Sequence, residues 1–416
     1  MVEQNIQHAL PLWTVVPFVG LLLSIALLPL KAPHFWERHR NKALVAGLWA
    51  LPVAVLFLIR NPHELLLSVK DYGSFVILLA ALFVVSGGIV VRGDIRATPL
   101  VNTTFLLIGA VLANFIGTTG ASMLLIRPLL QTNRERRHTS HIPVFFIFLV
   151  SNIGGCLTPL GDPPLFMGLL KGVPFLWTLR LFPLWAFMTG AVLLVFFVFD
   201  SRQYERETIK DIIRDRQRTT PLRLKGMLNL AWVGGIVGSM FLPFPVREAT
   251  LILMAVLSLV TTKRTLREEN RFTYDPIIEV AVLFAGIFVT MVPALSLLNT
   301  RAAELGMTKP WQFFWATGSL SSFLDNTPTY LAFFALAQGL GLGGAHVGIP
   351  PLILKAISAG AVFMGANSYI GNGPNFMVKC IAENYKYKMP SFFGYMAYSG
   401  AVLIPLFILV TAVFFR

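Results

Sequence analysis

Three short stretches set oxygen-bearing side chains and helix breakers inside otherwise apolar sequence. "LGDPPLF" (160–166) places the carboxylate of Asp162 between a glycine and two prolines, "LDNTPTY" (324–330) carries Asp325 and Asn326, and "IGNGPNF" (370–376) carries Asn372 and Asn375. Carboxylate, amide and hydroxyl oxygens are the ligands a hard cation such as Na⁺ takes, and a carboxylate also accepts a proton. Binding a cation and a proton in turn at one site is the chemistry these residue types allow. Asp before Pro is also a common helix start, so N-capping is the competing role for Asp162 and Asp325. An ionisable group at membrane depth costs at least about 2.5–3.5 kcal/mol on insertion scales, which favours a functional role over capping alone.

The elements that position these residues are apolar helices. The chain has 416 residues, 55% hydrophobic and 13% charged. Runs at 9–30, 73–91, 177–199, 276–299 and 391–415 reach or approach the roughly 20 residues that cross about 30 Å of hydrocarbon. Backbone groups in lipid must be satisfied internally, and the runs lack the alternation of a membrane barrel. The expected fold is an all-α polytopic membrane protein. The first run follows "MVEQNIQHA", which has no basic n-region, so it reads as a retained helix rather than a signal peptide. Cys156 and Cys380 lie far apart in apolar context and read as packing residues, not a disulfide. The net charge of +14 would suit nucleic acid, but the excess sits in short loops between apolar runs, so no nucleic-acid partner is expected.

The distribution of charge sets the topology. If 103–130 and 312–338 are hairpins that enter and leave on one face, 24 Lys and Arg fall in loops on one side and 7 on the other. The positive-inside rule then makes the basic side cytoplasmic. The two halves become inverted copies, and the sequences overlay: "LANFIGTTGAS" (112–122) on "LSSFLDNTPTY" (320–330), and "GCLTPLGDPPLF" (155–166) on "GANSYIGNGPNF" (365–376), at offsets of 208 and 210. The expected organisation is scaffold helices over 1–70, repeat 1 over 71–200 (hairpin 103–130, broken helix 142–170), a basic cytoplasmic loop over 201–225, scaffold helices over 226–274, and repeat 2 over 275–416 (hairpin 312–338, broken helix 350–378). Inverted repeats with helices broken near the midplane are the signature of secondary transporters.

Around the first break lie Asn152, Thr158 and Asp162, with Asn114, Thr118, Thr119 and Ser122 from the first hairpin. Around the second lie Asn367, Ser368, Asn372 and Asn375, with Ser322, Asp325, Asn326, Thr327 and Thr329 from the second. The expected ion or substrate site comprises Asn114, Thr118, Thr119, Asn152, Thr158, Asp162, Asp325, Asn326, Thr327, Asn367, Ser368, Asn372 and Asn375, with Asp162 and Asp325 as Na⁺ ligands. Glu279 is either a relay carboxylate or an interfacial one. His138 and His141 read as solvated loop residues.

"SNIGGCLTPLGDPP" (151–164), "SSFLDNTPT" (321–329) and "GANSYIGNGPNF" (365–376) resemble the ion transporter superfamily, with citrate transporters and NhaD-type sodium/proton antiporters as the most similar branches. The resemblance is clearest from about residue 70 onward. It implies two inverted repeats, each with a re-entrant hairpin and a broken helix, assembled as a homodimer. In such antiporters the Thr-Pro-x-Gly-Asp pattern corresponds to Thr158, Pro159, Gly161 and Asp162, and the Asp-Asn pattern to Asp325 and Asn326. Related dicarboxylate carriers place Ser-Asn-Thr at the hairpin tips, where this chain has Gly117-Thr118-Thr119 and an acid.

Three functions follow: a cation/proton antiporter, a cation-coupled carrier of citrate-like anions, or a channel subunit beside an ATP-driven anion pump. A carboxylate substrate should recruit Arg or Lys at depth, and neither break has one, which favours antiport. No Walker A loop and no hydrolytic constellation is visible, so no enzyme activity and no cofactor beyond Na⁺ or H⁺ is expected. The expected location is a bacterial inner membrane, with the bilayer and a small ion or carboxylate as partners.

Overall fold

The computed structural model describes residues 10–344 and 346–416. Residues 1–9, on which the reading of a retained first helix partly rests, lie outside the described part.

The chain opens with α1 (Val16–Lys31), a single turn α2 (Pro33–Trp36), α3 (His39–Arg60) and α4 (Pro62–Ser86). The α4 helix starts well before the expected 73, because Asn61 caps it and Pro62 occupies its first turn. Strand β1 (Val90–Asp94) leads to α5 (Pro99–Thr132), α6 (His141–Leu149), α7 (Pro163–Leu170) and α8 (Phe182–Tyr204). Next come α9 (Ile209–Gln217), β2 (Thr220–Lys225), α10 (Leu228–Ser239), α11 (Val246–Thr261) and α12 (Arg264–Glu269). The rest is α13 (Asp275–Thr300), α14 (Pro310–Ser321), α15 (Asn326–Gly339), α16 (Pro351–Met364), α17 (Gly373–Asn384) and α18 (Phe392–Phe414). Among the described residues seven helical segments are long and apolar enough to cross a membrane. Leu48, Leu51 and Leu58 of α3 remain more than half exposed, as lipid-facing leucines should be.

The architecture is mostly helical, as expected, with two local additions. Val90–Asp94 pairs antiparallel with Thr220–Lys225, so the fold includes a two-stranded ribbon. The stretch 201–225, expected as a basic loop, contains the helix α9 and the strand β2. "TPLRLK" alternates apolar and polar residues, the period of a strand, and its partner lies about 130 residues away.

The segment α5 does not run straight. Its helical path is interrupted at Gly117 (φ 76°, ψ 156°), a backbone region open essentially to glycine alone. Asn102 and Asn133, at the far ends of the two arms, exchange side-chain hydrogen bonds of 2.9 and 2.7 Å, so the arms fold back beside each other. A straight helix would have held these ends about 45 Å apart. Every residue of α6 is buried, which fits a helix that is apolar all round and enclosed by protein. The halves pack crosswise: α15 against α7 and α17 against α5. Helix α13 packs on α1, α3, α4 and α15.

Candidate functional site

Asp162 lies between the end of a 3-10 turn over 153–157 and the start of α7, and it is fully buried. It occupies the N-cap position, yet its side chain makes no capping hydrogen bond. Its oxygens accept from three other side chains instead. Thr118 Oγ1 donates to Oδ1 at 3.0 Å, Asn372 Nδ2 to Oδ1 at 3.2 Å and Asn326 Nδ2 to Oδ2 at 2.8 Å. Thr118 sits just past the fold in α5, Asn326 opens α15, and Asn372 precedes α17. Three segments distant in sequence thus converge on one carboxylate.

Around this centre Asn152 and Asn375 form a second layer. Asn152 Nδ2 donates to Asn375 Oδ1 (2.7 Å), Asn152 Oδ1 accepts from Asn372 (3.2 Å), and Asn375 Nδ2 donates to the carbonyls of Gly365 (2.8 Å) and Ser368 (2.9 Å). Ser321 Oγ lies 2.7 Å from both Asn326 Oδ1 and the Ala361 carbonyl, sharing its one hydrogen between them on the side of the Asn326 amide away from Asp162.

Asn114, Thr158 and Ser368 serve the backbone. Asn114 Nδ2 donates to the Gly154 carbonyl (2.7 Å) and its Oδ1 accepts from Leu157 N (2.8 Å). Thr158 Oγ1 donates to the Asn114 carbonyl (2.5 Å), and Ser368 Oγ donates to the Ser322 carbonyl (2.5 Å). The same hydroxyls accept from Leu160 N and Ile370 N, each at 3.2 Å. These paired contacts connect residues at the sequence offsets of 208 and 210. A Cβ on Gly161 would collide with the Gly155 carbonyl, and a Cβ on Gly371 with the Gly365 carbonyl, so both breaks use glycine for the same close approach.

The second half leaves oxygens open. Thr327 Oγ1 and Asn367 Oδ1 are buried with no hydrogen-bond partner among the described residues, although Asn367 Nδ2 donates to Ser322 Oγ (2.9 Å). Asp325 is half-buried and acts as the N-cap of α15, accepting from Thr327 N at 3.0 Å, so the capping role applies to it. Thr119 is half-buried, and its side chain makes no hydrogen bond among the described residues. No group of three His, Cys, Asp or Glu side chains that could hold a metal occurs among the described residues. Alkali cations take carboxylate and hydroxyl oxygens as well; at Asp162 these are its own two oxygens and Thr118 Oγ1, while Asn326 and Asn372 present their amide NH₂ groups.

The family described as "Putative citrate transport" matches residues 7–415. The chain belongs to this family. No curated protein matches it. This member of the citrate transport family is an integral membrane transporter, and its buried polar residues are to be understood in that light.

A densely bonded ionic contact among the described residues lies away from Asp162. The fully buried carboxylate of Asp200, near the end of α8, accepts from Arg136 (2.6 and 3.2 Å), His141 Nε2 (2.9 Å) and Asn102 Nδ2 (2.9 Å). These contacts gather both ends of α5 and the start of α6. The reading of His141 as a solvated loop residue is therefore corrected: it is 2% exposed and held by an acid. His138 stays half-exposed, 3.5 Å from Glu207. Glu279 pairs with Lys42 at 2.6 Å, joining α13 to α3. Ser321 and Asp200 were missed from the sequence; a serine before a hairpin tip and an acid at the end of an apolar run are the faint signals for them.

Proposed function

We propose that this transporter is a cation/proton antiporter in which Asp162 binds Na⁺ or Li⁺ and protons in turn. The observation that carries the reading is the donor set of Asp162: three neutral side chains from distant segments, and no Arg, Lys or His. A protein built to hold a citrate-like anion at this point would present cationic donors to it, whereas these donors serve a carboxylate the protein already owns. They fill three of its about four acceptor positions, and a cation can take the remaining one. A proton on the same carboxyl makes it a donor and removes the charge that attracts the cation, so the two ligands exclude each other. Elsewhere in the second half Thr327 Oγ1 and Asn367 Oδ1 are buried oxygens without a hydrogen-bond partner among the described residues, of the type a hard cation takes.

The paired contacts at constant offset support two inverted repeats, with 103–130 and 312–338 as re-entrant hairpins. The 24-to-7 division of basic residues supports cytoplasmic basic loops in a bacterial inner membrane. A homodimer is the assembly proposed with this fold. A second reading, cation-coupled citrate carriage, is favoured by the family description and by the helix N-termini of α7 and α17 opening at the same place, a geometry suited to carboxylates.

The test is flux in proteoliposomes under an imposed pH gradient. Na⁺ or Li⁺ should drive proton movement, the apparent cation affinity should improve as pH rises and competing protons thin out, and Asp162→Asn should abolish both. Labelled citrate uptake with no Na⁺ or Li⁺ response at any pH would replace the antiporter by the citrate carrier.

A further inference from the structure

Helix α9 points its acids inward and two of its three isoleucines outward. Asp211 and Asp215, one turn apart, are buried: Asp211 pairs with Arg137 at 2.9 Å, and Asp215 accepts the Ala97 backbone N–H at 3.1 Å. On the opposite side of the helix Ile209 and Ile213 are 77% and 48% exposed. At 3.6 residues per turn Lys210 and Arg214 flank this pair on one side and Arg216 on the other. All three cations are exposed, and their side chains have no hydrogen bond or ion pair among the described residues. The neighbouring strand β2 carries exposed Leu222 and Leu224 on one face, with Arg223 and Lys225 on the other.

An aqueous surface gives no reason to expose an isoleucine pair ringed by cations. A membrane surface does, since apolar side chains enter the boundary between headgroups and acyl chains while basic ones reach up to phosphates. The position of α9 agrees. It follows the membrane-length helix α8 after only 205–208, and the apolar helix α10 begins soon after β2, so both ends are tethered close to a leaflet.

We propose that α9 is a docking element for anionic phospholipid headgroups, with Ile209 and Ile213 inserted and Lys210, Arg214 and Arg216 bound to phosphate. An acidic protein partner would meet the same charges, but the double tether to membrane helices favours the lipid. Docking would fix α9 against the leaflet while its buried face holds Arg137 and Ala97 beside the ends of α5.

The experiment uses the full chain with Cys156→Ala, Cys380→Ala and Ile213→Cys, labelled with an environment-sensitive fluorophore. The protein is placed in nanodiscs of phosphatidylcholine, with or without phosphatidylglycerol, that carry acyl-chain nitroxide quenchers. Quenching should be stronger with phosphatidylglycerol and should weaken at high salt. Lys210→Gln and Arg214→Gln should lower the docked-to-undocked ratio about fivefold per charge removed. Neither side chain has a partner to lose, and unchanged elution in size-exclusion chromatography checks that the variants remain folded. Equal quenching in both lipid compositions, with the label open to aqueous iodide, would overturn the proposal. So would a label covered in native membrane vesicles but open in anionic nanodiscs, since a protein would then be the occupant.

Discussion

Asp162 and Asp325 share a sequence context, an acid followed within three residues by proline, and the structure gives them different work. Asp325 caps α15, whereas Asp162 leaves its helix uncapped and collects Thr118, Asn326 and Asn372. Asn in place of Asp325 keeps an oxygen to accept the Thr327 N–H and removes only the charge. If that charge also contributes to cation binding, as its residue type and place at a hairpin tip lead one to expect, Asp325→Asn should stop coupled flux while changing stability by less than about 0.5 kcal/mol, measured as a thermal midpoint in detergent beside the flux assay. Retained flux would confine Asp325 to capping. Much of this centre was legible from residue types alone, because a carboxylate, amides and helix breakers in apolar sequence have few other uses. What the sequence did not disclose is which oxygens are already engaged. Asn114 and Thr158 match the site in type, yet their polar atoms are spent on the backbone of 154–160 and 114. Ser321, which contacts the Asn326 amide oxygen behind Asp162, was absent from the expected set.

Helices and breaks were legible because apolar length, proline and glycine act over a few residues. The ribbon and the Asp200 cluster were not, because they assemble residues 60 to 130 positions apart whose local sequence says only "basic loop". The ribbon has a pH dependence of its own. Burial, with Glu135 and Asp215 nearby and only Arg134 and Gln131 opposing, pushes Asp94 up to about 6. A carboxyl raised in the folded state contributes stability that is fully present below its unfolded value and lost as pH rises through about 6. Asp215, raised by burial, acts in the same sense, while Asp211, held low first by its hydrogen bond from Thr208, acts against it. Amide exchange across Val90–Asp94, corrected for intrinsic rates, should therefore be slower at pH 5 than at pH 7.5, and Asp94→Asn should flatten the difference. Faster exchange at pH 5 would show that the ribbon is held by ionised carboxylates instead.

For the whole molecule, the basic side and the fold-back of α5 make a joint prediction. A cysteine at Leu342 should react with an impermeant reagent added outside the cell, and one at Arg216 should not. The opposite pattern would invert the topology, and outside labelling at both Arg137 and Leu342 would remove the hairpins from it. The convergence on Asp162 also bears on how the protein is made. Two of its three donors, Asn326 and Asn372, leave the ribosome long after Asp162 does, so the nascent first half holds a carboxylate in apolar surroundings with only Thr118 to answer it. Such a group is costly to leave unmatched, and the half-made chain should be held open, or held by cellular quality control, until the second half arrives. A fragment covering 1–207 expressed alone should turn over quickly in cells, co-expression with 208–416 should lengthen its half-life, and Asp162→Asn should lengthen it without the second fragment. The carboxylate proposed to serve transport in the finished protein would then also report, during synthesis, whether the two halves have met.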